Sequence, residues 1–358
     1  MESSRSGNEN ITPPLFFIIG RPRSGTTLLR TMLDCHSKAI VPTEYPVLLR
    51  ILSKSGNRNF RTPKQKHWII NQFVGLKHHH NRLFDTLGLN ESQFRVDIIN
   101  HTSDLTTETA FKAFISNCRS ARLEGKPFIV GDKNPVYSFY IRTLMRKFPE
   151  AKFVFIIRDP RDQFVSVKKF DFEANSPVLQ GIRWKMVVKN MKWCLKMYPE
   201  RTMMLKYEDL VHFPPEVLTD ICKFLGVEFQ DEMLEFYRNV DAGLGEKERT
   251  LLNVFHEKLS SPVNDASVDQ WKTKLSLSEI QGVEKGAGRW ISEASYQPFA
   301  NKIKFRIQLS FVFWSAHAII LNAMMNAILW LPAGKRFFLI RMINCFSKIY
   351  FLIFCKVK

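Results

Sequence analysis

Unbroken apolar runs alternate along this chain with stretches of helical period. Leu15–Ile19 (LFFII) follows a polar lead over residues 1–12 and has the continuous apolar character of a strand buried on both faces. The glycine-bearing turn GRPRSGTT comes next, and Thr27–Leu33 reads as a helix. The same succession recurs three times. Phe128–Val130 leads through Gly131-Asp132-Lys133-Asn134-Pro135 to the amphipathic segment Tyr137–Lys147. Phe153–Ile157, β-branched and aromatic, runs into Arg158-Asp159-Pro160-Arg161-Asp162 and another helix. Thr202–Lys206 precedes Tyr207-Glu208-Asp209 and the helix Pro215–Leu225. This alternation predicts an α/β fold, an open parallel sheet of the P-loop type flanked by helices. Ligands of such sheets bind beyond the carboxyl ends of the strands. The clusters Arg21–Thr27, Asp132–Asn134 and Arg158–Arg161 each lie just past a strand and are expected to share one crevice. Residues 240–270 lack period and read as a long loop, while 50–125 shows no readable chemistry.

The pattern changes character near residue 300. Between Arg306 and Lys335 no side chain is charged, His317 aside, and Ile307–Leu331 is long enough for a tilted transmembrane helix. Gln308, Ser315 and Asn322 recur at a heptad interval with Asn326 one turn later, so a single polar stripe equally suits an in-plane or protein-packed helix. Phe337–Phe354 is a second, shorter apolar stretch carrying Arg341 and Lys348. The expected organisation is a disordered lead over 1–12, one domain over 13–300, and a C-terminal hydrophobic helical appendage over 301–358.

Charge sharpens that picture. The chain has 52 Lys+Arg against 34 Asp+Glu, a formal net charge of +18, which suggests a polyanionic partner. From Ala294 to the end there are nine Lys or Arg and no Asp or Glu, so much of the excess lies in the most apolar part of the chain. That combination favours an anionic membrane surface over a nucleic acid. A packing module or homodimer through the same segment is the alternative. The cysteines (35, 118, 194, 222, 345, 355) show no C-x-x-C pair and no companion histidines, so neither a disulfide framework nor a zinc site is expected, and no metal. The run His78–His80 reads as a solvated loop. The polar N-terminus MESSRSGNENITPP lacks the plan of a secretory signal, which places the expected site of action at the cytoplasmic face of a membrane.

The loop after the first strand is nearly a nucleoside triphosphate site. Gly20 and Gly25 have the spacing of G-x-x-x-x-G-K-[ST], but Thr26 stands where a lysine would reach the β- and γ-phosphates. What remains is an anion cradle built from helix N-terminal amides, the Thr26 and Thr27 hydroxyls and Arg23. A second motif, IIRDPRDQFVS, crosses a strand, turn and helix, and it sets the permanently charged Arg158 eight residues before the Ser166 hydroxyl.

Together these motifs resemble sulfotransferases that use 3′-phosphoadenosine 5′-phosphosulfate (PAPS), with a pattern most like tyrosylprotein sulfotransferases and their bacterial relatives, over roughly residues 14–300. The resemblance implies that Arg21, Arg23, Ser24, Gly25, Thr26 and Thr27 hold the 5′-phosphosulfate, and that Arg158 and Ser166 hold the 3′-phosphate. It places the general base at Glu44 in Thr43-Glu44-Tyr45, with His36 as a rival because soluble small-molecule sulfotransferases use a histidine. Lys133 in GDKNP matches the family lysine over the bridging oxygen, where charge grows as the nucleotide leaves. Tyr207 in KYEDL and the loop with Ser260 and Ser261, followed by Trp271, resemble segments that close over the nucleotide. Two departures stand out. Gln270 replaces a family lysine, with Lys272 or Lys274 as candidate compensators, and Phe170 replaces a phosphate-binding arginine, with Lys168 and Lys169 beside it.

The implied reaction is metal-free, in-line transfer of a sulfuryl group to an acceptor hydroxyl, releasing 3′,5′-adenosine diphosphate (PAP). A glycan or glycolipid is the expected acceptor and a tyrosyl peptide the second choice. A P-loop kinase-like enzyme and a catalytically silent, membrane-bound nucleotide-binding protein are the competing classes.

Overall fold

A computed structural model describes residues 13–45, 47–55, 59–75, 77–78, 81–82, 87–101, 104–118, 123, 125–170, 175–238, 257–299 and 305–330. The polar lead, His79 and His80, the first part of the expected 240–270 loop and the apolar stretch Phe337–Phe354 lie outside the described residues.

Five parallel strands form the sheet: β1 (Leu15–Ile19), β2 (Ala39–Ile40), β5 (Ile129–Lys133), β6 (Lys152–Ile157) and β7 (Thr202–Lys206), in the order β2-β5-β1-β6-β7. A separate two-stranded antiparallel ribbon pairs β3 (Lys77–His78) with β4 (Asn81–Arg82). The helices are α1 (Thr26–Asp34), α2 (Val47–Ser55), α3 (Pro63–Val74), α4 (Glu91–Ile99), α5 (Thr107–Ser116), α6 (Ile141–Lys147), α7 (Pro160–Val167), α8 (Pro177–Met197), α9 (Tyr207–His212), α10 (Pro214–Leu225), α11 (Trp271–Lys274), α12 (Leu277–Ala287), α13 (Trp290–Glu293) and α14 (Phe305–Trp330). The α/β reading therefore holds, with a helical C-terminal segment.

Strand alternation divides the core. Leu15, Phe17, Ile19, Phe153, Phe155 and Ile157 face one layer together with α2 to α6 and part of α8. Phe16, Ile18, Val154 and Ile156 face the other, against Leu29, Met32 and Leu33 of α1 and Leu218 and Ile221 of α10. Each such buried side chain stabilises the fold by about 1.5–3 kcal/mol relative to exposure. Gly131 makes room within this packing, because a Cβ there would meet the Phe16 ring at 2.3 Å.

Three details differ from the sequence reading. The two-residue β2 is too short to show a period, yet Ala39 and Ile40 pair with Ile129 and Val130. The second predicted strand continues to Lys133, which pairs with Ile18. The expected helix 137–147 is two elements, a 3₁₀ turn over Pro135–Phe139 and then α6, because Tyr140 (φ −118°) leaves helical geometry.

Two crossings matter for the site. Gly181 of α8 lies against α12, where a Cβ would come within 2.1 Å of the Val283 carbonyl oxygen, and Gly286 reciprocally faces the Val178 carbonyl. Backbones this close fix α12, and with it Glu284. The sheet order also makes β1 a topological switch point: the chain turns to β2 and β5 on one side of it and to β6 and β7 on the other. The crevice at its carboxyl end is where such sheets bind ligands.

Candidate active site

The loop from β1 to α1 turns through two left-handed residues, Arg23 (φ 67°) and Gly25 (φ 90°). Glycine is required at the second, since a Cβ would also lie 2.4 Å from the Tyr207 ring. The first amides of α1 then have no intrahelical acceptor and point toward the crevice. Arg21 and Ser24 act from behind this loop. Arg21 is buried and donates to Gln180 Oε1 at 2.7 Å; Ser24 Oγ is also buried and accepts from Gln163 Nε2 at 3.1 Å, which donates to the Pro22 carbonyl as well. Neither lines the cavity, so both brace the cradle instead of facing an anion.

That cavity, about 270 Å³, is lined by Arg23, Gly25, Thr26, Thr27, Arg158, Ser166, Lys169 and Tyr207, with an apolar wall including Phe236, Leu259, Pro262 and Val263. Three of its side chains are cations and none is a carboxylate. Arg23 Nε donates to Ser166 Oγ at 2.9 Å, and Arg158 Nη1 donates to the Arg23 carbonyl at 3.1 Å. Arg158 also donates to the Ser267 carbonyl, stacks 4.6 Å over the Tyr207 ring, and has its own carbonyl held by Trp184 Nε1 at 2.9 Å. Its Nε is buried without a hydrogen-bond partner. Burial first and the nearby Arg158 guanidinium second push Arg23 down to about 10. Two guanidiniums held together against their repulsion, with an unpaired donor and an adjoining helix N-terminus, fit a ligand carrying two anionic groups. The apolar wall and the aromatic rings fit a base.

The loop after residue 257 closes this wall through α7. Asp162 accepts from the Asp269 and Trp271 amides at 2.7 and 2.8 Å, and burial pushes its carboxyl up to about 6. Arg161 pairs with Asp159 and Glu284 at 2.6 and 2.8 Å and lies 3.8 Å over the Trp271 ring. The loop's register differs from the sequence expectation: Ser260 and Ser261 are exposed and off the wall, which is reached by Leu259, Pro262, Val263, Asn264 and Ser267. Gln270 does line the cavity, but its candidate compensators do not. Lys272 pairs with Asp269 at 2.7 Å and Lys274 donates to Gln270 Oε1 at 2.8 Å. At the other departure, Phe170 carries the Arg23 guanidinium 4.8 Å over its ring; Lys168 turns away to Glu279 at 3.0 Å, and Lys169 lines the cavity. Phe236 was not foreseen, because a lone aromatic beyond the last legible helix carries no spacing signal.

Glu44 and Lys133 meet beside Thr27. Lys133, buried at the end of β5, donates to Thr27 Oγ1 at 3.0 Å and forms an ion pair with Glu44. Burial pulls the ammonium below its ordinary range, and Glu44 opposes that pull. The Glu44 segment is tied to α1: Arg30 Nε donates to the Val41 carbonyl at 2.7 Å and Asp34 Oδ1 accepts from the Val41 amide at 2.8 Å. Next to Lys133, Tyr137 donates its hydroxyl to Asp132, whose carboxyl burial pushes up to about 7. His36 is fully employed elsewhere. Its Nδ1 accepts from the Lys38 amide at 3.0 Å, so Nε2 carries the proton donated to the Glu228 carbonyl at 2.8 Å. Both ring nitrogens are used, and burial holds the imidazole below its usual range.

Comparison with known proteins agrees in family. The model of the sulfotransferase family matches residues 14–231. The protein-tyrosine sulfotransferase of Drosophila melanogaster is 27% identical over 312 residues, covering 84% of this chain and 55% of the fly protein. Protein-tyrosine sulfotransferase 2 of Gallus gallus is 26% identical over 306 residues, covering 80% of this chain and 71% of the chicken protein. This chain thus spans about half the length of the fly relative. Among solved structures, a sulfotransferase domain from the curacin biosynthetic pathway has the same fold, with a TM-score of 0.50 and 22% identity over 80% of this chain and 98% of that one.

Proposed function

The chain belongs to the sulfotransferase family, and from that premise we propose that it transfers a sulfuryl group from PAPS to an acceptor hydroxyl. The observation that carries this reading is a single cavity, free of carboxylates, in which Arg23, Arg158 and the N-terminus of α1 converge. PAPS supplies the activated sulfuryl group; the protein supplies position and charge. Amides of the loop and the hydroxyls of Thr26 and Thr27 hold one anionic end. Arg158, Ser166 and Lys169 hold the other, and Tyr207 and Phe236 bound the space between. Lys133 fixes a positive charge beside Thr27, where negative charge develops. Its ion pair with Glu44 holds that carboxylate in place near Thr27, and there Glu44 removes the acceptor's proton.

The proposed acceptor is a hydroxyl of a glycan or glycolipid. A tyrosyl peptide is the second reading, and it draws support from the activity for which the fly and chicken relatives are named. Incubation of the full chain with ³⁵S-labelled PAPS and a panel of glycans, glycolipids and acidic tyrosyl peptides tests both. Label on a glycan or lipid supports the first acceptor and label on tyrosine the second. No label on any hydroxyl, together with phosphate transfer from ATP, would overturn sulfuryl transfer itself.

A further inference from the structure

Helix α14 has two faces of different fate. Ile307, Trp314 and Ala318 are buried against Val178, Leu179 and Ile182 of α8, with Phe311 partly buried beside them. Leu309, Val312, Phe313, Ile319 and Ile320 are exposed, each by half or more of its surface. With Ala316 and Ala323 they occupy an arc of about 120° at 100° per residue, and no polar side chain interrupts it. Gln308, Ser315 and Asn322 fall outside the arc, on the flank nearer the packed face.

Charge says what covers this arc. Lys185 of α8 and Lys285 of α12 both stand over the Phe311 ring, at 5.2 and 5.1 Å, where the helix meets the protein body. Arg183, Lys189, Lys192 and Lys196 extend the basic series along α8, which contains no acidic residue. The chain from Ala294 onward is likewise free of acid. An exposed apolar strip on a helix whose packed side meets a series of ammonium groups is complementary to acyl chains beneath anionic headgroups.

We propose that α14 is an interfacial anchor, seated on α8 and lying in the plane of an anionic lipid surface with its Leu309–Ala323 arc in the acyl layer. The helix is long and apolar enough to cross a membrane by length and composition. Its packed face argues against crossing. The contact from Ile307 to Ala318 extends about 16 Å at 1.5 Å per residue, so spanning would strip that length from α8 or draw Lys185 and Lys285 into hydrocarbon. The proposal does not depend on sulfuryl transfer, and its test reads membrane binding alone.

The test is co-sedimentation of the full chain with vesicles of phosphatidylcholine, alone and with about a third phosphatidylserine. Binding should rise at least about tenfold with the anionic lipid and weaken in high salt. Val312→Glu with Ile319→Glu should lower it about tenfold at unchanged melting temperature, because both side chains point outward. Lys185→Glu with Lys285→Glu, which leaves the apolar arc intact, should abolish the preference for phosphatidylserine. An alkaline carbonate wash should release the bound protein. Retention through that wash, indifference to both double variants, or a lipid-free dimer that ignores vesicles and is split by the arc variant would each overturn the proposal.

Discussion

Glu44→Gln probes the ion pair on which the proposed proton transfer depends. Lys133 is 2% exposed in its side chain and has two acceptors, Thr27 Oγ1 and Glu44, whereas Glu44 is 44% exposed. The amide retains an acceptor oxygen but loses both the counter-charge and the basicity. General-base catalysis contributes about 10²–10⁴-fold, which is about 2.7–5.4 kcal/mol at 1.36 kcal/mol per tenfold, so kcat should fall by that range. Stability should fall less. Breaking a fully buried pair costs about 3–5 kcal/mol and an exposed one about 0–1; this pair is buried at one end only, so about 1–2 kcal/mol is expected. Glu44 also holds the Lys133 ammonium up against burial. Its loss lowers the Lys133 pKa further, and any basic limb in the pH profile of kcat should move to lower pH. Steady-state transfer kinetics, PAP titration by calorimetry and urea unfolding read the three effects. A variant with kcat within about threefold of the parent and an unmoved pH profile would refute the assignment of Glu44, whatever its stability.

Other residues give independent tests. Lys169→Ala should weaken PAP binding about tenfold, about 1.4 kcal/mol, and Lys168→Ala should leave it unchanged, since only the first lines the cavity. Gly181→Ala places a Cβ 2.1 Å from the Val283 carbonyl, so a loss of about 1–3 kcal/mol in urea unfolding is expected as α8 and α12 separate. Asp132, pushed up to about 7 by burial, keeps in the folded state a proton that the unfolded chain loses near 3.9. The stability it provides is therefore lost as pH rises from about 4 to 7 and beyond. Asp132→Asn can still accept from Tyr137, and its urea midpoint relative to the parent should climb between pH 5 and pH 8.

Local motifs were legible because their geometry is local. The apolar runs 15–19 and 153–157 became β1 and β6 because strands buried on both faces need no alternation, while 202–206 became the partly buried edge strand β7. Arg23 and Arg158 could be placed in one crevice because both follow adjacent parallel strands. Residues whose role depends on long-range packing were not legible. Nothing in the spacing of Glu44 and Lys133 shows that they touch, since the contact depends on Arg30 and Asp34 tying the intervening loop to α1. Arg21 and Ser24 sit in the motif, yet their partners Gln180 and Gln163 come from later helices and turn them away from the cavity. That Ser260 and Ser261 lie off the cavity wall was not legible for a related reason: Asp162 fixes that loop at residues 269 and 271, well beyond the serines. Helix α8 gave no amphipathic signal because it is packed by α12 and α14 as well as by the sheet.

Calorimetric titration of the full chain with PAP, and separately with ATP and magnesium, tests the central claim most directly. PAP is expected to bind with micromolar affinity, to lose at least about tenfold on Arg158→Ala through the charge-assisted contact, and to be unaffected by magnesium ATP as competitor. Magnesium-dependent ATP binding with no measurable affinity for PAP, or PAP binding indifferent to both Arg23 and Arg158, would contradict the account.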